Sequence, residues 1–268
     1  MFERVILSSN ERPKYIEFWP IVSEAWRYLF GVKISLALVT NETKSNEQMD
    51  SLQKYGDVFL FPEVEGIPSP NNAKMARHYL ASTYGNEICM VADIDMLPLQ
   101  TEYYYQYMSH YKTGHLLING KDAYIGSSEE GKFPIYYTTG TGDVFREIIN
   151  SRGLGYEDWL KSFIGTKVFD NKEDISISID NEDANTFSDE SLWRVMLHKW
   201  SNKDKIIHVP RGFNPYIKRG ISRTEWNIDP EKLKNGTYVS SHLPRPYNQN
   251  KEKVDYLFSY VKSISKYA

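Results

Sequence analysis

The chain has 268 residues, 32 Lys and Arg against 35 Asp and Glu, and a formal net charge of -3, which argues against a dedicated nucleic-acid binder. A single cysteine, Cys89, excludes an internal disulfide framework and a cysteine-rich zinc site. The hydrophobic fraction is 41% without an apolar run of membrane-spanning length, and the opening segment is too charged for a secretory leader, so we expect a soluble cytoplasmic protein.

Strands and helices alternate regularly through the first part of the chain. Strands are predicted at residues 5–7, 34–39, 58–61 and 88–92, and helices at 20–30, 47–55 and from a cap at Asn71 or Asn72 to residue 84. The fourth strand is apolar throughout, which is typical of a parallel sheet covered on both faces. The alternation predicts an α/β fold with a mostly parallel, doubly wound central sheet flanked by helices. Such sheets bind ligands at the carboxyl ends of their strands.

The second half of the chain has a less regular pattern. Strands are predicted at residues 115–118, 135–138, 175–179 and 206–209, helices at 143–150, 157–163 and 189–200, and a loop at 210–236. Thr141 is the expected cap of the helix that begins near residue 143. Apolar residues recur at helical spacing from 254 to 264, which predicts a terminal helix docked on the body.

The clearest chemical signal is a pair of carboxylates, Asp93 and Asp95, at the end of the apolar fourth strand. Side chains two positions apart on a strand point to the same side, so we expect the two anions to lie close together. Each raises the pKa of the other unless a cation compensates, and a hard divalent cation can do so while it also holds a diphosphate. The alternative is a solvated turn at the strand end, before Pro98.

With this pair in the expected ligand crevice, the chain resembles the GT-A-fold nucleotide-sugar glycosyltransferases, whose hallmark is an Asp-x-Asp motif. The resemblance implies that Asp93 contacts the ribose or the metal, and that Asp95 chelates Mn²⁺ or Mg²⁺. The chain is similar to small soluble transferases of bacteria and of large algal viruses. The resemblance also implies a single domain over residues 1–268, with a nucleotide-binding half at 1–100 and an acceptor-binding half at 101–268 that includes the terminal helix.

A late strand ending in histidine adds to the resemblance. Many GT-A enzymes, notably those similar to glycogenin, take a third metal ligand from such a histidine and place a basic residue on the diphosphate shortly afterwards. These roles fall on His242 and Arg245. The Gly-rich spacing that follows the histidine in the family is absent here. The alternative for His242 is a hydrogen-bonded surface residue.

Two basic residues precede the acidic strand. Lys74 and Arg77 lie on the predicted helix, and Arg77 stands 16 residues before Asp93, where related transferases carry a basic residue that contacts the donor. The planar guanidinium of arginine suits phosphate oxygens or sugar hydroxyls. The alternative is a solvated helix face that carries Lys74, Arg77 and His78.

Polar residues end the first strand. In the family this region holds the nucleoside, which assigns Ser8, Ser9 and Asn10 to that contact and makes Tyr15 a candidate for stacking on the base. The alternative is a polar loop between the strand and the next helix.

The start of a late helix supplies two further acids. Inverting GT-A enzymes place their general base at this location, and it would take the proton from the attacking acceptor hydroxyl. Asp189 is the first candidate for the base and Glu190 the second. The alternative is an ordinary helix start with Ser188 as cap and Phe187 packed against Leu192.

The resulting expectation is a metal-dependent glycosyltransferase that uses Mn²⁺ or Mg²⁺ and moves a sugar from a UDP-sugar donor to a glycan hydroxyl. An inverting reaction is favoured, and xylose, another pentose or a deoxyhexose are candidate sugars. The expected partners are a nucleotide sugar and an oligosaccharide or glycan acceptor, without nucleic acid or a transmembrane segment. Four tryptophans could line the acceptor site or belong to the core: Trp159, Trp193, Trp200 and Trp226.

Three alternatives stay open. A retaining, glycogenin-like transfer fits the His242 region. A sugar nucleotidyltransferase shares the fold, but it needs a Gly-rich, Arg-containing loop after the first strand, and residues 8–13 contain no glycine. A non-catalytic carbohydrate-binding protein would use the 20 tyrosines of the chain to bind glycan without metal or nucleotide.

Overall fold

The structure is a computed structural model that describes residues 1–120, 134–165, 179, 189–210, 219–224 and 226–267. The predicted strand at 175–179 lies outside the described residues except for Ile179, and Phe187 and Ser188 also lie outside them. Among the described helices, none is both long and apolar enough to cross a membrane.

The first part of the chain alternates strands and helices as the sequence predicts. Its elements are β1 (Arg4–Asn10), α1 (Pro13–Ile16), α2 (Trp19–Phe30), β2 (Lys33–Val39), α3 (Asn46–Gln53), β3 (Asp57–Phe61), α4 (Ser69–Ala81), β4 (Ile88–Val91), β5 (Met96–Pro98) and α5 (Glu102–Met108). Glycine ends α2, because Gly31 adopts a left-handed φ of 64° and its amide binds the Arg27 carbonyl oxygen.

The second part contains shorter elements. They are β6 (Leu116–Asn119), β7 (Thr139–Thr141), α6 (Gly142–Ile149), α7 (Tyr156–Lys161), α8 (Asp189–Lys199), β8 (Ile206–Val209), β9 (Arg219–Ile221), α9 (Pro230–Lys234), β10 (Tyr238–His242) and α10 (Lys251–Ser263). The predicted cap at Thr141 is confirmed, since its side chain accepts a hydrogen bond from the Val144 amide. The predicted terminal helix is also confirmed, and α10 buries Val254, Leu257 and Val261.

Seven of the described strands form one sheet in the order β3-β2-β1-β4-β7-β6-β8. Neighbours among β3, β2, β1 and β4 run parallel, as do β6 and β8, whereas β7 runs antiparallel to both β4 and β6. A smaller sheet of described strands has the order β5-β10-β9. The expectation of a mostly parallel sheet flanked by helices is therefore confirmed.

Apolar side chains cover both faces of the large sheet. On one face, Trp19 and Trp26 of α2 pack with Tyr104 of α5 and with buried residues of α10. On the other face, residues of α4, α6, α7 and α8 pack together, including the buried Trp159 and Trp193. The buried strands β1 and β4 lie between these two layers, which explains why β4 is apolar throughout and why the middle of β1, residues 5–7, is apolar.

Some predicted boundaries are wrong, and side-chain hydrogen bonds explain one of them. Helix α4 begins at Ser69, so neither Asn71 nor Asn72 caps it, and both are buried inside the helix. Asn72 instead fixes the preceding loop: its side-chain oxygen accepts from the Val64 amide at 3.0 Å, and its amide group donates to the Ile67 carbonyl at 2.8 Å.

The predicted strand at 135–138 is a turn, and the strand begins only at Thr139. Tyr137 in this turn adopts a positive φ of 67°, which lies in the left-handed region and outside the extended region of a regular strand. The predicted loop at 210–236 is also wrong in part, because it contains β9 and α9. Asp229 caps α9 by accepting from the Glu231 amide at 3.0 Å.

Candidate active site

The two carboxylates of the Asp-x-Asp motif lie in the turn between β4 and β5. They therefore do not lie on a strand as the sequence predicts, and the Met96 amide closes the turn by donating to the Asp93 carbonyl at 3.1 Å. The intervening Ile94 is buried in the core, which anchors the turn. The side chain of Asp95 is 7% exposed and that of Asp93 is 32% exposed. The turn thus presents one buried and one accessible carboxylate.

The small sheet brings His242 to this turn. Strand β10 pairs antiparallel with β5 so that His242 lies opposite Met96, and the Leu243 amide donates to the Asp95 carbonyl at 2.8 Å. One ligand atom from each of Asp93, Asp95 and His242 lies within 4.8 Å of the other two. Two carboxylates and an imidazole form a ligand set that suits Mn²⁺ or Mg²⁺. The residues predicted as metal ligands are therefore neighbours in space and fit such an ion.

Three basic side chains surround the carboxylate of Asp95. Arg223 Nη1 lies 3.2 Å from its Oδ2, Arg245 Nε lies 3.6 Å from the same oxygen, and His242 Nε2 lies 3.3 Å from Oδ1. Burial alone would raise the pKa of Asp95, but the contact with His242 and the charges of Arg223 and Arg245 lower it below its ordinary value. Asp95 is therefore an anion at neutral pH.

Arg223 is the residue of this cluster that the sequence does not reveal. It follows β9, which runs parallel to β10 with Ile221 beside Ser241, and neighbouring parallel strands end at the same edge of a sheet. Its Nη2 contacts His242 Nε2. The three-residue strand β9 lies in a polar stretch without periodicity, so no sequence signal predicts this pairing.

Arg77 joins the acidic pair to the late helix. It is buried, and its guanidinium contacts the Asp93 carboxylate, donates to the Ala92 carbonyl at 3.0 Å and lies 2.8 Å from Asp189 Oδ2. Burial would lower the pKa of Arg77, but the charges of Asp93 and Asp189 raise it above its ordinary value.

The sequence also allowed a solvated helix face that carries Lys74, Arg77 and His78. This interpretation is wrong for Arg77, which is buried, and for His78, which is completely buried. Lys74 is half-buried on the same helix, and its charge acts on Asp189.

Asp189 and Glu190 differ in their surroundings at the start of α8. Asp189 is buried against Arg77, and its Oδ2 lies 3.5 Å from His78 Nε2. Burial would raise the pKa of Asp189, but Arg77 and His78 hold it well below its usual range. A carboxylate stabilised so strongly as an anion is a weak proton acceptor. Glu190 is half-buried and interacts with its surroundings.

The residues expected at the nucleoside belong to the last part of β1. Ser8 is half-buried, Ser9 donates to the Asn10 carbonyl, and Asn10 donates to the Ser69 hydroxyl at 3.0 Å. Beside the ends of β1 and β2 lies a cavity of about 420 Å³. Its lining includes Glu11, Leu38 and Lys44. Tyr15 lies nearby, with the guanidinium carbon of Arg245 4.6 Å from its ring centroid.

Most of the tryptophans considered for an acceptor site belong to the core. Trp159, Trp193 and Trp200 are buried in the layer formed with α4 and α6. Trp226 is half-buried and packs against the opposite layer, and it is therefore the most accessible of the four.

Known proteins resemble this chain in structure rather than in sequence. No protein-family model and no curated protein matches the sequence. Two structures of the glycosyltransferase GlyE from Streptococcus pneumoniae TIGR4 align with 97% and 99% of this chain, at 11% and 10% identity and a TM-score of 0.50. The chain has the GT-A fold. It spans only 60% and 64% of the two GlyE chains, so this likeness shows the fold alone.

A third structure, of a glycosyltransferase involved in the glycosylation of the major capsid of PBCV-1, is similar in length. It aligns with 94% of this chain and 98% of its own, at 11% identity and a TM-score of 0.44. Within the GT-A fold, the cluster of Asp93, Asp95 and His242 lies where the large and the small sheet meet.

Proposed function

We propose that the protein is a metal-dependent glycosyltransferase that moves a sugar from a UDP-sugar to a hydroxyl group of a glycan. The observation that carries this proposal is the convergence of Asp93, Asp95 and His242 to within 4.8 Å of one another. Asp93 and Asp95 come from one turn and His242 from the late strand β10, and their meeting depends on the pairing of β5 with β10. In a GT-A fold, such a group at the end of β4 is suited to a nucleotide-sugar donor.

The ligand atoms of the cluster indicate which metal ion it would hold. Asp93, Asp95 and His242 would bind Mn²⁺ or Mg²⁺, which when bound neutralises the diphosphate and stabilises the charge that develops on the leaving UDP. Asp95 is already an anion at neutral pH because of its basic neighbours, so it needs no proton loss on binding a cation.

Basic and polar side chains around the cluster are suited to the phosphate groups and the nucleoside of the donor. Arg245 lies beside Asp95 and against Tyr15, so its guanidinium is positioned to bind a phosphate group. The cavity at the ends of β1 and β2 would take the nucleoside, and its lining residue Glu11 directly follows Asn10 in the sequence. Arg77 is held by Asp93 and Asp189, and we assign it to the orientation of Asp93 at the donor.

The two acids of α8 receive different roles in an inverting reaction. Asp189 is already bound to Arg77, so we assign it to the positioning of that guanidinium rather than to proton transfer. Glu190 then becomes the candidate for the general base that takes the proton of the acceptor hydroxyl. This order is the reverse of the one that the sequence favours, and the ion pair of Asp189 is the reason.

A retaining transfer is the second candidate mechanism. It is favoured by the same ion pair, because the acid first expected to act as the base is engaged with Arg77. The anomeric configuration of the first product, followed by proton NMR, separates the two mechanisms. A β-linked product from an α-linked UDP-sugar indicates inversion, and an α-linked product indicates retention.

The proposal is tested by incubating the protein with a panel of UDP-sugars, including UDP-xylose and UDP-hexoses, and measuring UDP release with Mn²⁺ and with EDTA. We expect release with at least one donor in Mn²⁺ and none in EDTA. Asp95→Asn should abolish release, and Asp158→Asn, which changes an exposed acid on α7, should not. Metal-independent release, or full release by Asp95→Asn, would contradict the proposal.

A further inference from the structure

Arg223 binds two of the groups to which the proposed function assigns the cation. Its Nη1 lies 3.2 Å from Asp95 Oδ2, and its Nη2 contacts His242 Nε2. The side chain is 24% exposed and reaches the cluster from the end of β9, so it has solvent on one side into which it can move. The guanidinium therefore touches the carboxylate and the imidazole at the same time.

The contact with His242 fixes which atom donates the hydrogen bond. A guanidinium has only N–H donors and keeps its charge in proteins, so His242 Nε2 must be the acceptor. Nε2 also lies 3.3 Å from Asp95 Oδ1, to which it donates only in a protonation state that does not accept from Arg223. A neutral imidazole has one nitrogen lone pair to offer, and a divalent cation bound at Nε2 would need that same lone pair. Arg223 and a cation at His242 Nε2 therefore exclude each other.

The charge balance of the site also disfavours a divalent cation while all three arginines stay in place. The carboxylates of Asp93, Asp95 and Asp189 contact the guanidiniums of Arg77, Arg223 and Arg245, three negative charges against three positive ones, and the charge of Lys74 also acts on Asp189. A divalent cation added to this group creates an excess of positive charge at partly buried positions, which is unfavourable unless a cation leaves or an anion arrives. Among the three guanidiniums, Arg77 is buried, whereas Arg223 is partly exposed at a strand end.

We propose that Arg223 is a tethered cation that competes with the divalent metal ion for Asp95 and His242, so that the ion binds only when Arg223 has left them. This inference rests on the proposed function, because it requires a metal site at these residues. A displaced Arg223 gains new hydrogen-bond acceptors if a nucleoside diphosphate arrives beside Arg245. Metal ion and diphosphate therefore favour each other's binding, and the ion alone binds weakly.

The competition is tested by calorimetric titration of Mn²⁺, without nucleotide, into the wild type, Arg223→Gln and Arg245→Gln. Glutamine keeps an amide donor but carries no charge. A group that blocks a site nine-tenths of the time weakens binding about tenfold, so we expect Arg223→Gln to bind Mn²⁺ about tenfold more tightly than the wild type. Arg245 carries the same charge and reaches the same Asp95 oxygen at 3.6 Å, so Arg245→Gln measures the effect of removing a charge from Asp95 while Arg223 stays on His242. Its gain should be about threefold or less.

Two results would overturn the inference: an unchanged or weaker affinity in Arg223→Gln, or equal gains in the two variants. Arg223→Lys, which keeps the charge but not the planar fork, should give an intermediate affinity and is the second variant if the glutamine is unstable. Titration of UDP in Mn²⁺ separates this inference from the proposed function. Metal-dependent UDP binding without a gain in Arg223→Gln overturns the inference alone, and a wild type that binds neither ligand overturns both.

Discussion

Arg77 Nη2 lies 2.8 Å from Asp189 Oδ2, although the two residues are 112 positions apart in the sequence. Both side chains are buried, and the guanidinium also contacts Asp93 of the Asp-x-Asp motif. The first residue of α8 is thus connected to the candidate metal site through one arginine of α4. Removal of one partner from such a buried pair leaves an uncompensated charge, which is strongly destabilising.

Asp189→Asn should therefore lower the free energy of unfolding by about 3 kcal/mol at pH 7, because Arg77 loses one of its two carboxylates. Chemical denaturation followed by far-UV circular dichroism measures this change. Asp143→Asn is the matched control, since Asp143 forms an ion pair with Arg146 on the surface of α6, and it should cost less than about 1 kcal/mol. Equal costs for the two variants would contradict the structural role of Asp189.

Glu190→Gln separates proton transfer from the positioning of Arg77. If Glu190 is the base of an inverting reaction, this variant should lose transfer by at least about a hundredfold. Its free energy of unfolding should stay within about 1 kcal/mol of the wild type. Full transfer activity in Glu190→Gln, together with a product of retained configuration, would contradict the role of Glu190 as the base and would indicate the retaining mechanism.

The buried His78 predicts a pH-dependent stability. Its burial, together with the charge of Arg77, lowers its pKa to about 4 despite the opposing effect of Asp189. An unfolded histidine has a pKa near about 6.5, so the unfolded state binds more protons between these values and stability falls as the pH falls through this window. From pH 7 to pH 5 this residue should cost about 2 kcal/mol of unfolding free energy.

Urea denaturation at pH 7 and at pH 5 measures this cost in the wild type and in His78→Leu. The variant should lose about 2 kcal/mol less than the wild type between the two pH values, because leucine does not titrate. His110→Leu is the control for the replacement of an exposed histidine. An identical pH dependence in the wild type and in His78→Leu would show that His78 is not buried as a neutral ring.

Gly142 tests the packing of α6 against the end of α4. A Cβ atom at this position would lie 2.6 Å from the Gly85 backbone nitrogen and 2.8 Å from the Ala81 carbonyl oxygen, and neither backbone atom can move easily. Gly142→Ala should therefore destabilise the protein by about 2 kcal/mol in thermal or chemical unfolding. In the neighbouring Gly140→Ala the nearest atom to the new Cβ is a Leu116 side-chain carbon at 3.4 Å, an ordinary van der Waals contact, and stability should change by less than about 1 kcal/mol.

Local sequence patterns predicted the sheet and part of the site. The apolar strand β4 and the carboxylates that follow it are adjacent in sequence, so Asp93 and Asp95 could be placed at a strand end without a structure. His242 ends a recognisable strand in the same way. A turn at this strand end was one of two interpretations of the sequence, but the pairing of β5 with the late strand β10, which brings His242 to it, was not predictable.

Long-range ion pairs could not be predicted from these patterns. Arg223 follows a three-residue strand, and Asp189 begins an amphipathic helix whose acids also fit an ordinary helix start. Both side chains reach the site only through tertiary contacts, at separations of 128 residues from Asp95 and 112 residues from Arg77. Charge and helical spacing alone therefore suggested a solvated face for Arg77 and His78, which the packing of α8 on α4 excludes.

The binding of UDP to the Asp93, Asp95 and His242 cluster tests the central claim most directly. Isothermal titration calorimetry of UDP should show binding in Mn²⁺ that weakens at least about tenfold in EDTA, because the metal ion carries the contact with the diphosphate. Asp95→Asn should bind UDP equally weakly under both conditions, with its folding checked by thermal unfolding. An affinity for UDP that is the same with Mn²⁺ and with EDTA, or a complete lack of UDP binding, would contradict the assignment of this cluster.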